Sequence, residues 1–270
     1  MFKTISKAFW FSFLPSCIAG AVSVYLFAVG AIPLSYLWIS LLMWSLISGL
    51  GIAVGYHRVF SHRTHRLPRW KEIVILFLAA FGGQGGPIFW VALHRGYHHP
   101  HSDTDRDPHS PLVHGKFHAW IGWFIENTEA KNTINMKYAV DLARKPHFVW
   151  FHKWHYELLW AVPFVVLLVD WQLACAAFFL PMMFGVLQDN TVNVYGHTKT
   201  FYSYRNYDTR DASQNNALLG WFGWGQGWHN NHHAEPAKFD FGRGTSGRWW
   251  EIDPTVIFLP FIGKPVDTAV

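Results

Sequence analysis

Four short stretches hold nine of the chain's 17 histidines in spacings that suit a metal. HRVFSH supplies His57 and His62, and HRGYHH supplies His94, His98 and His99. NVYGH pairs Asn193 with His197, and HNNHH gives His229, His232 and His233. Neutral imidazole is the commonest nitrogen ligand of transition metals, and a helix turns residues at i, i+3 and i+4 onto one face. His94 with His98, Asn193 with His197, and His229 with His232 and His233 meet that condition. Nine imidazoles and one amide suit a pair of metal ions that take about four to six ligands each.

These stretches can act together only if the fold brings them to one place. Hydrophobic residues make up 51% of the 270 and charged residues 14%, against roughly 25% charged in an ordinary globular protein, and there are 16 tryptophans. A membrane protein accounts for all three deviations. No Lys or Arg lies between Ala8 and Tyr56, or between Tyr156 and Thr198, and each gap has room for two helices of about 20 residues and a tight turn. Gly30 and Pro33 mark the first turn, and Asp170 to Gln172 mark the second. The expected fold is an all-α integral membrane protein with two hairpins of spans, residues 8–29 and 34–55, then 156–169 and 173–193.

All 22 Lys and Arg then fall on one side, which the positive-inside rule makes the cytosol. The net charge of +5 is read as an orientation signal and not as a nucleic-acid patch. Residues 57–155 and 194–270 form a cytosolic helical cap within a single domain, 1–270. Lys3 and Lys7 precede an apolar run too long for a cleaved signal peptide, so this run is read as the first anchor. Ile73 to Leu93 is apolar but interrupted by GGQGGP at Gly82 to Pro87, which predicts a short or broken helix, or a re-entrant segment, in place of a span. Cys17 and Cys175 fall inside spans, which argues against a disulfide framework, and two cysteines exclude a Cys-rich metal site. The topology rests only on basic residues and apolar runs, yet it puts all four histidine stretches on the cytosolic side. A metal carrier would place its polar ligands near the membrane midplane. A structural zinc site is the other metal alternative.

The sequence resembles the membrane fatty acid desaturases with three histidine boxes, and among them the stearoyl-CoA, delta-9 type. Beyond the boxes the likeness rests on SGLGIAVGYHRVFSH from Ser48 to His62, HSDTDRDPHSP from His101 to Pro111, HAWIGW from His118 to Trp123, and GQGWHNNHH from Gly225 to His233. The resemblance implies that His57, His62, His94, His98, His99, His197, His229, His232 and His233 are the ligands of two iron ions (Fe2+/Fe3+). It implies that Asn193 reaches one iron through a water. His65, His101 and His109 match no ligand position, so outer or surface roles are expected of them. The implied activity is O2-dependent insertion of a cis double bond, at delta-9, into a saturated long-chain fatty acyl substrate.

The chain would lie in a deep apolar tunnel, and the resemblance implies that Ser45 and Gly49, about three and two helical turns before His57, help to limit its depth; for Gly49, as for Gly51, helix packing by a small residue is an equal reading. Two departures stand out. HRGYHH has three residues between His94 and the histidine pair, where the stearoyl-CoA type has two. Gly82 to Phe89, GGQGGPIF, replaces the polar run that precedes that box in the stearoyl-CoA type. The acyl carrier therefore stays open among CoA, membrane lipid and carrier protein.

Histidine boxes do not separate desaturation from hydroxylation, so a di-iron fatty acyl or alkyl hydroxylase is the nearest alternative. The sequence has no CxxCH and too few cysteines for an iron–sulfur cluster, so a separate electron donor of the cytochrome or ferredoxin type is expected. A basic cytosolic face suits an acidic carrier. The compact chain points to a bacterial inner membrane in preference to the endoplasmic reticulum. Trp221, Trp224 and Trp228, around the last box, are read either as lining the site or as anchoring at the membrane interface, the more frequent role of tryptophan in membrane proteins.

Overall fold

Helices dominate the computed structural model, which describes residues 5–126 and 134–266; Lys3 lies outside them. The elements that matter for the site are α1 (Phe9–Ala28), α2 (Leu34–Ser61), α3 (Arg69–Ala80), α4 (Pro87–Leu93) and α5 (Pro146–Lys153). They are followed by α6 (His155–Val169), α7 (Trp171–Tyr195), α8 (Ala217–Phe222) and α9 (His229–Ala234). A two-stranded antiparallel ribbon, Ser203–Tyr204 with Asn215–Asn216, sets Ser203 opposite Asn216. Of the four expected spans, α1, α2 and α7 are long and apolar enough to cross a membrane. α6 is apolar but has 15 residues, short of the roughly 20 that a span needs.

The chain turns between α1 and α2, and between α6 and α7, at the residues expected. Gly30 takes a φ of +73°, open to a residue without a Cβ, between α1 and α2. Asp170 caps α7 by accepting from Leu173 N at 3.0 Å. Gln172 Nε2 then donates to Ala31 O at 2.8 Å, which puts both hairpin turns at the same end of the bundle. Small residues let the helices approach closely, as expected where lipid removes the hydrophobic drive between them. A Cβ on Gly20 of α1 would lie 2.3 Å from Met183 Cβ of α7, and one on Gly51 of α2 would lie 2.7 Å from Ala79 N of α3.

α2 changes surroundings along its length. Leu37, Trp38, Leu41 and Leu42 are exposed, whereas Ile47, Ile52, Val54 and Tyr56 are buried. The first part thus offers apolar side chains outward, and the second runs into protein. From Ser45 to Ser61 the helix is wound with i→i+5 hydrogen bonds, and it ends with His62 N donating to His57 O at 3.2 Å. The apolar stretch Ile73 to Leu93 is a broken helix. α3 stops at Ala80, Gly83 and Gly85 turn the chain at φ of +68° and +84°, and Pro87 starts α4. Ser12 Oγ of α1 holds that turn by donating to Gly83 O at 2.7 Å. α4 continues without interruption into His94–His98, again wound i→i+5, with His99 N donating to His94 O. Cys17 and Cys175 are both free thiols, in α1 and α7.

Candidate metal centre

The nine expected histidines fall into two clusters. His57, His62, His94, His99 and His232 form one, and His98, His197, His229 and His233 form the other, each with its ring nitrogens within 4.8 Å of one another. The grouping departs from the one-face reading. Bonds from i to i+5 stack His62 over His57 and His99 over His94, an offset that falls off-face at about 3.6 residues per turn. His94 therefore partners His99, and His98 turns into the second cluster. α9 straddles the two, giving His232 to the first and His229 and His233 to the second.

Outer partners set the polarity of the rings. His57 Nδ1 lies 2.8 Å from Gln226 Oε1, and His98 Nδ1 lies 3.0 Å from Asp107 Oδ2. His197 Nδ1 lies 3.2 Å from Asp103 Oδ2, and His233 Nδ1 lies 2.6 Å from Asp211 Oδ2. An acceptor there holds the ring proton on Nδ1 and leaves the Nε2 lone pair facing inward. The Nε2 atoms accordingly face each other, His57 to His232 and His99 to His232 at 2.8 Å, His62 to His94 and His197 to His229 at 2.9 Å. His233 Nε2 is buried with no protein partner. Five imidazoles in one cluster and four in the other bring their ring nitrogens within 4.8 Å of one another, so the donor set fits a pair of metal ions. Burial, and then the neighbouring imidazoles, hold His62, His94, His99, His229 and His232 well below the usual histidine range. Burial brings His233 down to about 4, although its bond to Asp211 opposes the shift.

The frame around the rings is polar and largely satisfied. α9 has only six residues, too few to hold itself, and its two asparagines clamp it. Asn230 Oδ1 accepts from Asn206 N at 2.8 Å and Tyr207 N at 2.9 Å. Asn231 Nδ2 donates to Glu251 Oε2 at 2.7 Å, and its Oδ1 accepts from Asn215 Nδ2 at 2.7 Å. Arg58, beside His57, is fully buried. It donates to Asp253 Oδ2 at 2.7 Å and to Phe239 O at 2.8 Å, and it stacks 3.7 Å over the Phe241 ring. Asp103 Oδ2 also accepts from Ala212 N at 2.7 Å, tying the segment after α4 to the one before α8.

Spacing of histidines alone missed Asp103, Asp107, Asp211, Gln226 and the two asparagines. The acids of HSDTDRDPHSP were a signal for the first two. Asp211 lies 22 residues from the ring it holds, and no local pattern marks it.

A cavity of about 70 Å³ opens beside both clusters, walled by Phe89, Leu93, Phe124, Asp189, Val192 and Asn193, with His57, His94, His98 and His229 at its edge. Asn193 thus lines the cavity beside the clusters. Gln84, Phe89, Trp123 and Phe124 also line a second cavity of about 590 Å³ that reaches Lys7, His155 and Tyr156. Ser45 and Gly49 line neither. Ser45 Oγ donates to Leu41 O at 2.7 Å, and a Cβ on Gly49 would meet Trp224 and Phe258 at 2.9 Å. His65 turns away to Gly263 O, whereas His109 joins His98 around Asp107 and edges the smaller cavity. Two of the three tryptophans depart from interfacial anchoring. Trp228 is fully buried, donating to Ile252 O at 3.0 Å, and Trp224 is buried against Trp44, so of the three only Trp221 is exposed.

The sequence model described as Fatty acid desaturase matches residues 31–243. The chain is 36% identical over 215 residues to the sn-2 palmitoyl-lipid 9-desaturase of Nostoc sp. (strain 36), covering 78% of this chain and 72% of that one. It is 33% identical over 229 residues to the sn-1 stearoyl-lipid 9-desaturase of Anabaena variabilis, covering 83% and 80%. Against the Delta-9 acyl-lipid desaturase 2 of Arabidopsis thaliana it is 32% identical over 250 residues, covering 87% and 75%. The match takes in every box from His57 to His233, and on its extent the chain belongs to the fatty acid desaturase family.

Proposed function

We propose that this fatty acyl desaturase works through two iron ions and inserts a cis double bond, at delta-9, into the saturated acyl chain of a membrane lipid. One iron is held by His57, His62, His94, His99 and His232. The other is held by His98, His197, His229 and His233, and Asn193 reaches one of the two through a water. The observation that carries this reading is the convergence of Nε2 atoms in both clusters beside one cavity. An iron pair supplies the O2-derived oxidising power that an unactivated carbon chain requires. The protein's own groups do the rest. Acceptors on Nδ1 of His57, His98, His197 and His233 keep those imidazoles in the ligating tautomer, while Phe89, Leu93, Phe124 and Val192 offer apolar walls that set by shape which carbons lie beside the clusters.

The larger cavity favours a lipid-borne chain. Its far end lies between Lys7, two residues before α1, and the first residues of α6, His155 and Tyr156. Both helices are apolar, so a bilayer lipid reaches that mouth from the membrane interface. The names of two relatives, an sn-2 palmitoyl-lipid and an sn-1 stearoyl-lipid 9-desaturase, support a lipid-borne chain. A floor role for Ser45 and Gly49 requires the acyl path to continue past the Trp44–Trp224 pair, whose rings are 5.1 Å apart. In this reading residues 1–270 are one domain with four spans, α6 being the short one. The histidine cap faces the cytosol of a bacterial inner membrane, and electrons come from a separate donor. Expression in a host of defined lipids, followed by double-bond mapping of each lipid class, tests the proposal. New delta-9 bonds in glycerolipids, absent with His229→Ala, are expected. A hydroxylated chain without an alkene would make the protein a hydroxylase. Zinc in iron-replete protein, without O2 consumption, would remove the oxidase reading.

A further inference from the structure

One ring of the first cluster is held differently from its counterparts in the second. His98, His197 and His233 each set Nδ1 against an aspartate, and a carboxylate accepts through either oxygen, so it cannot be seated backwards. His57 instead sets Nδ1 against the amide of Gln226. An amide can be reversed. With its NH2 toward Nδ1 it would make Nδ1 the acceptor and send the ring proton to Nε2, where a metal needs the lone pair. A second contact decides the matter. Gln226 Nε2 donates to Asp189 Oδ1 at 2.9 Å, which commits the NH2 group to Asp189 and the oxygen to His57.

Asp189 and Gln226 are both buried, at 8% and 6% exposure, and both line the cavity beside the clusters. Asp189 is the sole acidic residue on that wall among the described residues. Its Oδ2 has no partner, so Oδ1 accepts from Gln226 whether or not a proton sits on Oδ2. It stands four residues before Asn193 on α7, and the hydrogen-bonded route from it to His57 runs through the Gln226 amide.

We propose that Asp189 is a positioning residue for the metal centre, fixing the orientation of the Gln226 amide and through it the ligating tautomer of His57. The proposal rests on the reading of the histidine clusters as a metal site. It makes a demand that general packing would not. Asp189 should matter only while residue 226 is an amide, because a carboxylate at that position accepts from His57 Nδ1 without being oriented. In the Gln226→Glu background Asp189 would even oppose binding, as a second carboxyl group against the first.

Cobalt(II) titrated into chelator-stripped protein, followed by its visible absorption, separates these cases in four proteins: wild type, Asp189→Ala, Gln226→Glu and the double variant. Outer partners of ligating histidines are typically worth about 10–100-fold in metal affinity, and a loss of that size is expected for Asp189→Ala in the wild-type background. In the Gln226→Glu background the same substitution should cost nothing or improve binding. An equal loss in both backgrounds would reduce Asp189 to a packing residue, and no loss in either would overturn the relay. Wild-type protein that binds no cobalt would remove the metal reading and the relay with it. Unfolding of the metal-free variants by circular dichroism is the control. If Asp189→Ala alone does not fold, the comparison of the double variant with Gln226→Glu decides, with weaker binding by the double variant counting against the relay.

Discussion

Neutrality of the imidazoles is imposed by position, and it has a cost that the metal-free protein should reveal. Burial lowers His233 from 6.5 to about 4, and moves His62, His94, His99, His229 and His232 in the same direction. Between those pH values the unfolded chain binds more protons than the folded one, so stability rises with pH across the window. It is complete above about 6.5 and is lost as pH falls toward about 4. Each such ring contributes about 1.4 kcal/mol per pH unit within its own window. Chelator-stripped protein should therefore unfold at steadily lower temperature as the pH is reduced below about 6.5, and metal-loaded protein should resist because metal competes with protons for the same nitrogens. Thermal unfolding in detergent at a series of pH values checks this. Equal pH dependence with and without metal would mean that the rings do not hold the ion.

Those nine histidines were legible because type and spacing are written locally. Of their holders, Asp103 and Asp107 had a signal in HSDTDRDPHSP, whereas Asp211 and Gln226 act on rings 22 and 169 residues away.

Helix winding explains both what could and what could not be read from the pattern. Charge gaps and turn residues located α1, α2, α6 and α7 because apolar length and Gly or Pro punctuation are local properties. The i→i+5 winding of Ser45–Ser61 and His94–His98 was not legible, and it reassigns His98 and His99 between the clusters. It also brings two glycines of α2 to different neighbours, which separates two roles. Gly49 faces the side chains of Trp224 and Phe258, whereas Gly51 faces the backbone of Ala79. Side chains can move aside and a helix backbone cannot. Gly51→Val should push α3 away and leave little folded protein, with any residual product keeping its chain-length profile. Gly49→Phe should displace the Trp224 ring toward the acyl path and shift the profile to shorter chains. Fatty acid profiles of the two variants in the same host check the contrast. A Gly49→Phe profile identical to wild type would remove Gly49 from the substrate path.

At the level of the molecule, the bond from Gln172 to Ala31 ties the two hairpin turns together, at the opposite end of α2 from His57 and His62. If α1, α2, α6 and α7 all cross the bilayer, both turns must emerge on one side and the histidine cap on the other. α6 is the helix at issue, because 15 residues reach only about 22 Å and the hydrocarbon core is about 30 Å thick. It can serve as a span only if the bilayer thins beside it or its ends stay wet. Single cysteines decide the point once Cys17 and Cys175 are replaced by alanine. Ser35 and Val169 are exposed at the two turns, and Phe201 is exposed on the cap side, beyond α7. In right-side-out vesicles a membrane-impermeant maleimide should label Ser35→Cys and Val169→Cys but spare Phe201→Cys. Inverted vesicles should give the reverse. Labelling of Val169→Cys together with Phe201→Cys from one side, with Ser35→Cys labelled from the other, would break the tie between the two turns and leave α1 and α2 as the only membrane hairpin. Protection of Val169→Cys on both sides would instead place the second turn within the bilayer. Labelling of Ser35→Cys and Phe201→Cys from the same side would contradict the arrangement outright, because α2 and α7 lead from the joined turns to the cap.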